Sequence, residues 1–435
     1  MVSSTLKVFS RRSANVAVIG GGISGVMCSL ELARSGLQVD LFDQNKLLER
    51  TRSCVRRVNL TGFHYDNIAD QLSVGRSNRK WLLYLLNEQP QSGKWVGYEY
   101  AQYNIMNDTS VSGDHLEAMI RSIREDYDAT TELQLPGITS RDLIIEQPMV
   151  EETEKSCFTR SFMVLEARMK MGPAQGSLAY DLQKMILHNK NISVYESSTV
   201  SDVFSNSIGL AHSVEVERDN EKVLRLYDVV LDCSNSNRLS QFKNFPTDGK
   251  FKFSCVIPLT ERKTVDAAHK GSCLNVWSDS GWGISIIPED NTLMLTAEPV
   301  SKKYNRLIHK DEYATVLAES IEYVCSKSRF WAKFFHDVDM SSAFVAQNYV
   351  LKPTGSGAQR GEYCVEHVAG RYYKCYADKV ANALELSLAT AKLISTEFKA
   401  MARILRGGKF YKSSIDFLTK RSQKSDRKKS HCKMS

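Results

Sequence analysis

The residues that most constrain this chain run from Asn15 to Gln44, NVAVIGGGISGVMCSLELARSGLQVDLFDQ. Val16 to Ile19 are uniformly apolar and read as a short buried strand of a parallel sheet. Gly20, Gly22 and Gly25 follow in the pattern Gly-x-Gly-x-x-Gly. The spacing predicts a helix from Gly22 to about Ser35, stopped by Gly36, and a second strand over Val39 to Phe42. In such a βαβ unit the first glycine permits the tight turn. The second lets a pyrophosphate approach the backbone, and the third lets helix and strand pack closely. The helix N-terminus, with the amides of Ile23 and Ser24, favours an anion. Asp43 closes the second strand 18 residues after Gly25, the range for a carboxylate that accepts hydrogen bonds from a ribose. The same charge would repel a 2′-phosphate, which argues against NADP at this turn. Strand, turn, helix, strand and acid agree, so the unit reads as a dinucleotide site. A doubly wound unit that has kept the turn without its ligand would show the same local pattern.

Bulk properties narrow the setting. A chain of 435 residues accommodates two or three domains. No window approaches the roughly 18 uninterrupted apolar residues of a membrane span. The net charge is +7, but residues 407–435 hold nine Lys/Arg and two Asp, so the body balances to zero. Charge therefore gives no case for a nucleic-acid-binding body. The tail is polar, Ser-rich and without a periodic apolar face, so it reads as a disordered basic segment suited to an anionic partner. Ten cysteines are scattered without a Cys-x-x-Cys pair. That pattern fits reduced thiols in an intracellular, cytoplasmic protein and offers no metal site. Residues 1–14 carry three basic residues, four serines and no acid. This is transit-peptide composition, which keeps a mitochondrial or plastid alternative open beside a plain flexible N-terminus.

The rest of the chain divides by its patterning. AYDLQKMIL from Ala179 reads as a helix. Strand signals follow in ISVYESSTVSDVF from Ile192, LAHSVEVE from Leu210 and LRLYDVVLDCS from Leu224. CVEHV from Cys364 reads as a further strand, and the segment from Ala377 as a long helix with apolar residues three and four apart. Two aromatic-rich blocks separate these pieces. The layout predicts a nucleotide-binding domain built from 15–75, 173–240 and 345–406, with a second domain formed by 76–172 and 241–344.

After Asp43 the chain runs KLLERTRSCVRRVNLTGFHYDNIADQLSV from Lys46. This resembles the second signature of the renalase-like branch of the flavin amine oxidases. In that branch Gly-Gly-Arg-x-x-Thr-Arg precedes a short hairpin and Phe-Asp-x-Gly-Ala-Gln. Arg52, Arg56 and Arg57 match the arginines by spacing, and Tyr65, Asp66, Ala69 and Gln71 match the second part with one extra residue. MKMGPAQGSLAYDL from Met169 resembles the turn and helix that lead back into the flavin domain. STVSDVF from Ser198 resembles the strand beside adenine, with Val200 on it. YCVEHVAG from Tyr363 resembles the closing acidic segment, with Glu366 in the place of the acid near the ribityl or pyrophosphate. The likeness spans most of residues 15–400. It departs at four glycines, where Arg50, Thr51, Ile68 and Val365 stand instead. Each replacement adds a Cβ where backbone would approach a cofactor.

The resemblance implies an α/β fold: a discontinuous Rossmann-type FAD-binding domain with an inserted α+β substrate domain. It implies FAD as the dinucleotide, held by Gly20, Gly22, Ile23, Ser24, Gly25, Asp43, Arg52, Val200 and Glu366. It also implies hydride transfer from an amine or reduced nicotinamide-like small molecule. No Ser-His-acid order, metal cluster or kinase signature supports another chemistry, and no catalytic residue is assigned. His64, His367, Lys352 and Tyr349 are polar groups for the ring's surroundings, each better accounted for by an ordinary surface or core role. Two alternatives stay open: a non-catalytic protein that retains the fold with degenerate cofactor contacts, and a monooxygenase or dehydrogenase using NAD(P)H.

Overall fold

A computed structural model describes residues 14–49, 56–63, 65, 67–88, 95–106, 109, 111–147, 158–172, 175–205, 212–219, 221–234, 247–270, 274–278, 281–289, 292–304, 306, 308–353, 363–377 and 382–406. The chain begins with β1 (Asn15–Ile19), α1 (Ile23–Arg34) and β2 (Gln38–Phe42). Next come β3 (Arg56–Asn59), α2 (Ile68–Glu88), β4 (Val96–Met106), α3 (Gly113–Ala129), β5 (Ile144–Gln147) and β6 (Phe158–Met169). The middle holds α4 (Leu178–Leu187), β7 (Ile192–Tyr195), β8 (Thr199–Ser205), β9 (His212–Arg218), β10 (Glu221–Tyr227) and β11 (Val229–Asp232). Then follow β12 (Thr247–Pro258), α5 (Arg262–Lys270), β13 (Leu274–Ser278), β14 (Gly281–Glu289), β15 (Thr292–Ala297) and α6 (Glu298–Lys303). The last elements are α7 (Tyr313–Lys327), α8 (Arg329–His336), β16 (Phe344–Pro353), β17 (Tyr363–Ala369), β18 (Tyr372–Ala377) and α9 (Asn382–Arg406). Residues Ala14–Ser387 form one compact unit, and those from Leu388 belong to another. No described helix is long and apolar enough to cross a membrane.

Three sheets organise the larger unit. The first has the order β17-β18-β11-β1-β2-β7, parallel except for the antiparallel edge strand β17. Val16–Ile19 of β1 and Val229–Leu231 of β11 are apolar because both faces of these central strands are covered. α1, buried from Gly25 to Ala33, covers one face together with α4. α4 starts at Ser177, whose Oγ accepts the Tyr180 N–H, and buries Leu178, Leu182 and Ile186, one turn apart. The antiparallel meander β10-β9-β8 covers the other face. Val203, Val214, Val216 and Tyr227 pack there on Ala17, Ile19, Phe42 and Val230.

The third sheet has nine strands, β16-β12-β15-β14-β13-β4-β6-β3, with β5 added alongside β6. Its β12–β15 part shares a core with α7 and α8 in which Trp331 packs edge-on against Phe334. Two strands within segments assigned from sequence to the nucleotide-binding domain hydrogen-bond here instead. β3 continues the row of β6, from Arg56↔Met169 to Asn59↔Glu166, and β16 pairs with β12 over ten positions. Backbone pairing decides sheet membership, and those partners lie too far along the chain for local patterning to reveal them.

His212 ties the meander to the parallel sheet. It is fully buried. Its Nε2 accepts the Arg371 N–H at 3.2 Å, so Nδ1 carries the proton and donates to Ser205 Oγ at 2.8 Å. Burial, reinforced by the Arg371 charge, lowers its pKa from 6.5 to about 4. The unfolded chain takes up that proton near the ordinary value, so it binds more protons than the native state between the two values. The stability contributed by the neutral ring is complete above about pH 6.5 and is lost as pH falls towards 4, about 3 kcal/mol in all. His212→Gln keeps an acceptor for Arg371 and cannot titrate. The urea midpoint of this variant should fall less steeply than wild type across that window, and parallel profiles would refute the assignment.

Candidate functional site

The glycine turn sits at the carboxyl ends of β1 and β2, where ligands bind in open α/β sheets. Gly20 takes φ +103 and donates its N–H to Phe42 O at 2.7 Å. A Cβ there would come within 2.8 Å of Ser234 Cα and 2.9 Å of the Cys233 carbonyl. A Cβ on Gly25 would overlap the Gly20 carbonyl oxygen. Gly22 differs, being exposed, with no atom within 4 Å of where its Cβ would stand. It begins α1, and its carbonyl accepts the Val26 N–H at 3.0 Å. The amides of Ile23 and Ser24 precede that first helical bond, so they have no acceptor within the helix and are available to an anion.

Asp43 stands beside the turn and is half-buried. Its Oδ2 accepts the Gly21 N–H at 2.5 Å and its Oδ1 the Asn45 N–H at 2.7 Å. A carboxylate oxygen has more than one acceptor site, so hydroxyl donors can still be received. Val200 lies half-buried on β8 and packs against the core shared by the meander and the parallel sheet.

Glu366 lies on β17 within a row that crosses the sheet. It pairs with Lys374, Lys374 with Asp232, and Asp232 with Ile19. Three strand spacings separate it from β1, about 14 Å. Burial raises its carboxyl, with Lys374 opposing. Asp232 is 2% exposed and is likewise raised by burial. Its Oδ1 accepts the Ser234 N–H at 2.9 Å and the Ser234 Oγ–H at 2.5 Å. It thereby fixes the backbone against which Gly20 packs.

Arg52, His64 and Asp66 lie outside the described residues. Arg57 is in the nine-stranded sheet, bonded to Glu99 at 2.7 Å and 3.7 Å from Glu166. Glu166 in turn accepts the Tyr103 hydroxyl at 2.6 Å. Gln71 donates to Tyr65 O at 2.5 Å, joining two residues of the matched signature. Tyr349 and Lys352 lie on β16. His367 contacts Gly370 O at 2.5 Å.

Sequence reasoning did not reach three features. Asp232 and Ser234 form one; a buried acid two residues before a serine is the only local trace of it. The cluster of Cys28, Cys233 and Cys375 is another. All three are buried, and the neighbouring thiols, aided by burial, push the Cys233 thiol well above its ordinary range. It is a protonated packing group under the turn, not a nucleophile. The third is Glu196, whose partner is 149 residues away. Among the described residues no cluster of His, Cys, Asp or Glu is arranged to hold a metal.

No family model matches the sequence, and no curated protein matches it. Solved structures do share its architecture. Glycine oxidase from Geobacillus kaustophilus superposes with TM-score 0.55 at 14% identity, over 88% of this chain and 95% of that one. That likeness shows a shared fold. L-amino acid deaminase from Proteus vulgaris gives TM-score 0.53 at 13% identity, over 88% and 89%. Glycerol-3-phosphate dehydrogenase from Bacillus halodurans, solved with FAD, gives 0.52 at 11%, over 92% and 67%. The expected Rossmann-type domain with a second domain is therefore present. The residues around the turn fit the ADP half of such a cofactor: an open Gly22, helix amides and, at the end of the neighbouring strand, the Asp43 carboxylate.

Proposed function

We propose that this protein binds FAD at the Gly20–Gly25 turn and is an oxidoreductase of the amine or amino acid oxidase type. The observation that carries this reading is the exposed Gly22 at the start of α1, with nothing filling the space its side chain would take. Gly20 and Gly25 close the turn beneath it, and Asp43 flanks it. The amides of Ile23 and Ser24 would hold the pyrophosphate, Asp43 the ribose hydroxyls, and Val200 the adenine side. Glu366, with Lys374 beside it, is assigned to the ribityl end of the same sheet edge. Arg52 keeps its role from the signature match.

A bound flavin supplies the redox step, accepting a hydride equivalent from the substrate. The chain's own part is to orient that substrate and exclude water. The renalase-like signature around Arg56, Tyr65 and Gln71 favours a primary or secondary amine, or a reduced nicotinamide-like compound, as donor. A second reading, a binding protein without turnover, rests on the glycines replaced by Arg50, Thr51 and Val365.

Anaerobic mixing of the FAD-loaded protein with amines, amino acids and NAD(P)H separates these readings. Bleaching of the flavin band by an amine or amino acid supports the oxidase. Bleaching by NAD(P)H alone narrows the donor to the reduced nicotinamide class and sets aside the amine. A loaded protein that no donor reduces favours the binding reading.

A further inference from the structure

The loop after Asp43 is met by a side chain from the segment after β7. The segment from Gln44 to Leu48 folds back over the glycine turn. Leu47 is fully buried, with its Cδ2 2.5 Å from where a Gly21 Cβ would stand. Leu48 donates its N–H to Gly21 O at 2.9 Å and takes φ 58, a left-handed conformation unfavourable for a leucine. The opposing segment follows β7. There Tyr195 O accepts the Asp43 N–H at 3.0 Å, and Ser198 donates to Asp43 O at 2.9 Å. Between these contacts Ser197 is also left-handed, at φ 53. Of the three described non-glycine residues with positive φ, two therefore flank Asp43 from opposite sides. Strain of this kind persists only where surrounding bonds over-determine the backbone, and it gathers at ligand-binding sites. The bond that joins the two strained segments through a side chain runs from the Leu47 N–H to Glu196 Oε1, at 2.7 Å.

We infer that Glu196 is a positioning residue for the ribose of a bound dinucleotide. The inference rests on the proposed function, since it concerns the same site. By accepting the Leu47 N–H, Glu196 pins the loop that keeps Asp43 against Gly21. Without that acceptor the Leu47 amide loses its partner, Leu48 relaxes out of the left-handed region, and the loop after Asp43 opens. The ribose must then order the loop as it binds, which weakens affinity. The helix amides that would hold pyrophosphate make no bond to Glu196, so the defect is confined to recognition of the ribose.

The test uses the full chain, with ADP and 2′,3′-dideoxy-ADP as probes and calorimetric dissociation constants as the readout. Wild type should prefer ADP by about tenfold, the worth of a hydrogen bond to a charged group. Glu196→Ala should bind ADP about tenfold more weakly than wild type does, close to an unchanged affinity for 2′,3′-dideoxy-ADP. Glu196→Gln, whose amide oxygen still accepts the Leu47 N–H, should restore the preference. Retention of the wild-type ratio in Glu196→Ala overturns the inference, and so does a proportionate loss of both ligands with a lowered melting temperature. A wild-type protein that binds both nucleotides equally also overturns it, because Asp43 would then not read the ribose. A wild type that binds neither ADP nor FAD instead overturns the dinucleotide reading itself, an outcome visible without any substitution.

Discussion

Alanine at Gly25 should abolish nucleotide binding and destabilise the protein by about 3 kcal/mol or more. The added Cβ would overlap the Gly20 carbonyl oxygen, and both partners are backbone, so neither can rotate away. Relief requires α1 to lift from β1. That movement loosens the packing of α1, whose Val26, Met27 and Leu30 are buried. It also displaces the amides of Ile23 and Ser24 from the edge where an anion would sit. Stability and binding are thus coupled through one contact. Thermal melting and an FAD titration on the same preparation check this. A variant that melts with wild type, or that binds FAD undiminished, would show that α1 does not pack as described.

Gly62→Ala should destabilise to a similar degree, about 3 kcal/mol, by a separate route. Gly62 takes φ +72, and a Cβ there would overlap the Gln71 carbonyl oxygen. It lies in the loop between β3 and α2, organised around Asn59. The Asn59 Oδ1 accepts from Thr61 N at 2.9 Å, Thr61 Oγ1 at 2.7 Å and Gly62 N at 2.8 Å, while its Nδ2 donates to the Tyr103 hydroxyl at 2.7 Å. Displacing Gly62 breaks a set of buried hydrogen bonds, each costly to leave unmade. None of these groups touches the glycine turn, so the folded fraction should bind ADP with wild-type affinity. Chemical denaturation measures the first effect and a binding isotherm below the melting range the second. An unchanged denaturation midpoint would contradict the account.

The contrast between these two glycines bears on what the sequence made legible. Gly20, Gly22, Gly25 and Asp43 were readable because strand, turn, helix and acid lie within one continuous segment, and each constraint is local. The same holds for α4 and for β7 to β11, whose periodicity and β-branched content are self-contained. YYKCYA is a central parallel strand despite Lys374, because that lysine is buried between Glu366 and Asp232 in the adjoining strands. Gly62 lies in the hairpin of the matched signature, but its left-handed turn is set by packing against Gln71 of α2, which no local pattern shows. Glu196 was hidden for the same kind of reason, since an acid in a polar loop reads as solvated until its distant partner is seen. Sheet membership of β3 and β16 depends on pairing across long stretches of chain, which no local pattern encodes.

The central claim is that the open face of Gly22 receives the pyrophosphate of FAD. Gly22→Ala tests it most directly, because the native φ of −71 suits alanine and the new methyl meets no protein atom within 4 Å. Titration of FAD into wild type and variant, followed by flavin fluorescence, should give saturable one-to-one binding for wild type. The variant should melt within about 1 kcal/mol of it and bind at least tenfold more weakly. Equal affinity of the two proteins, or a wild type that takes up no FAD, would contradict the claim.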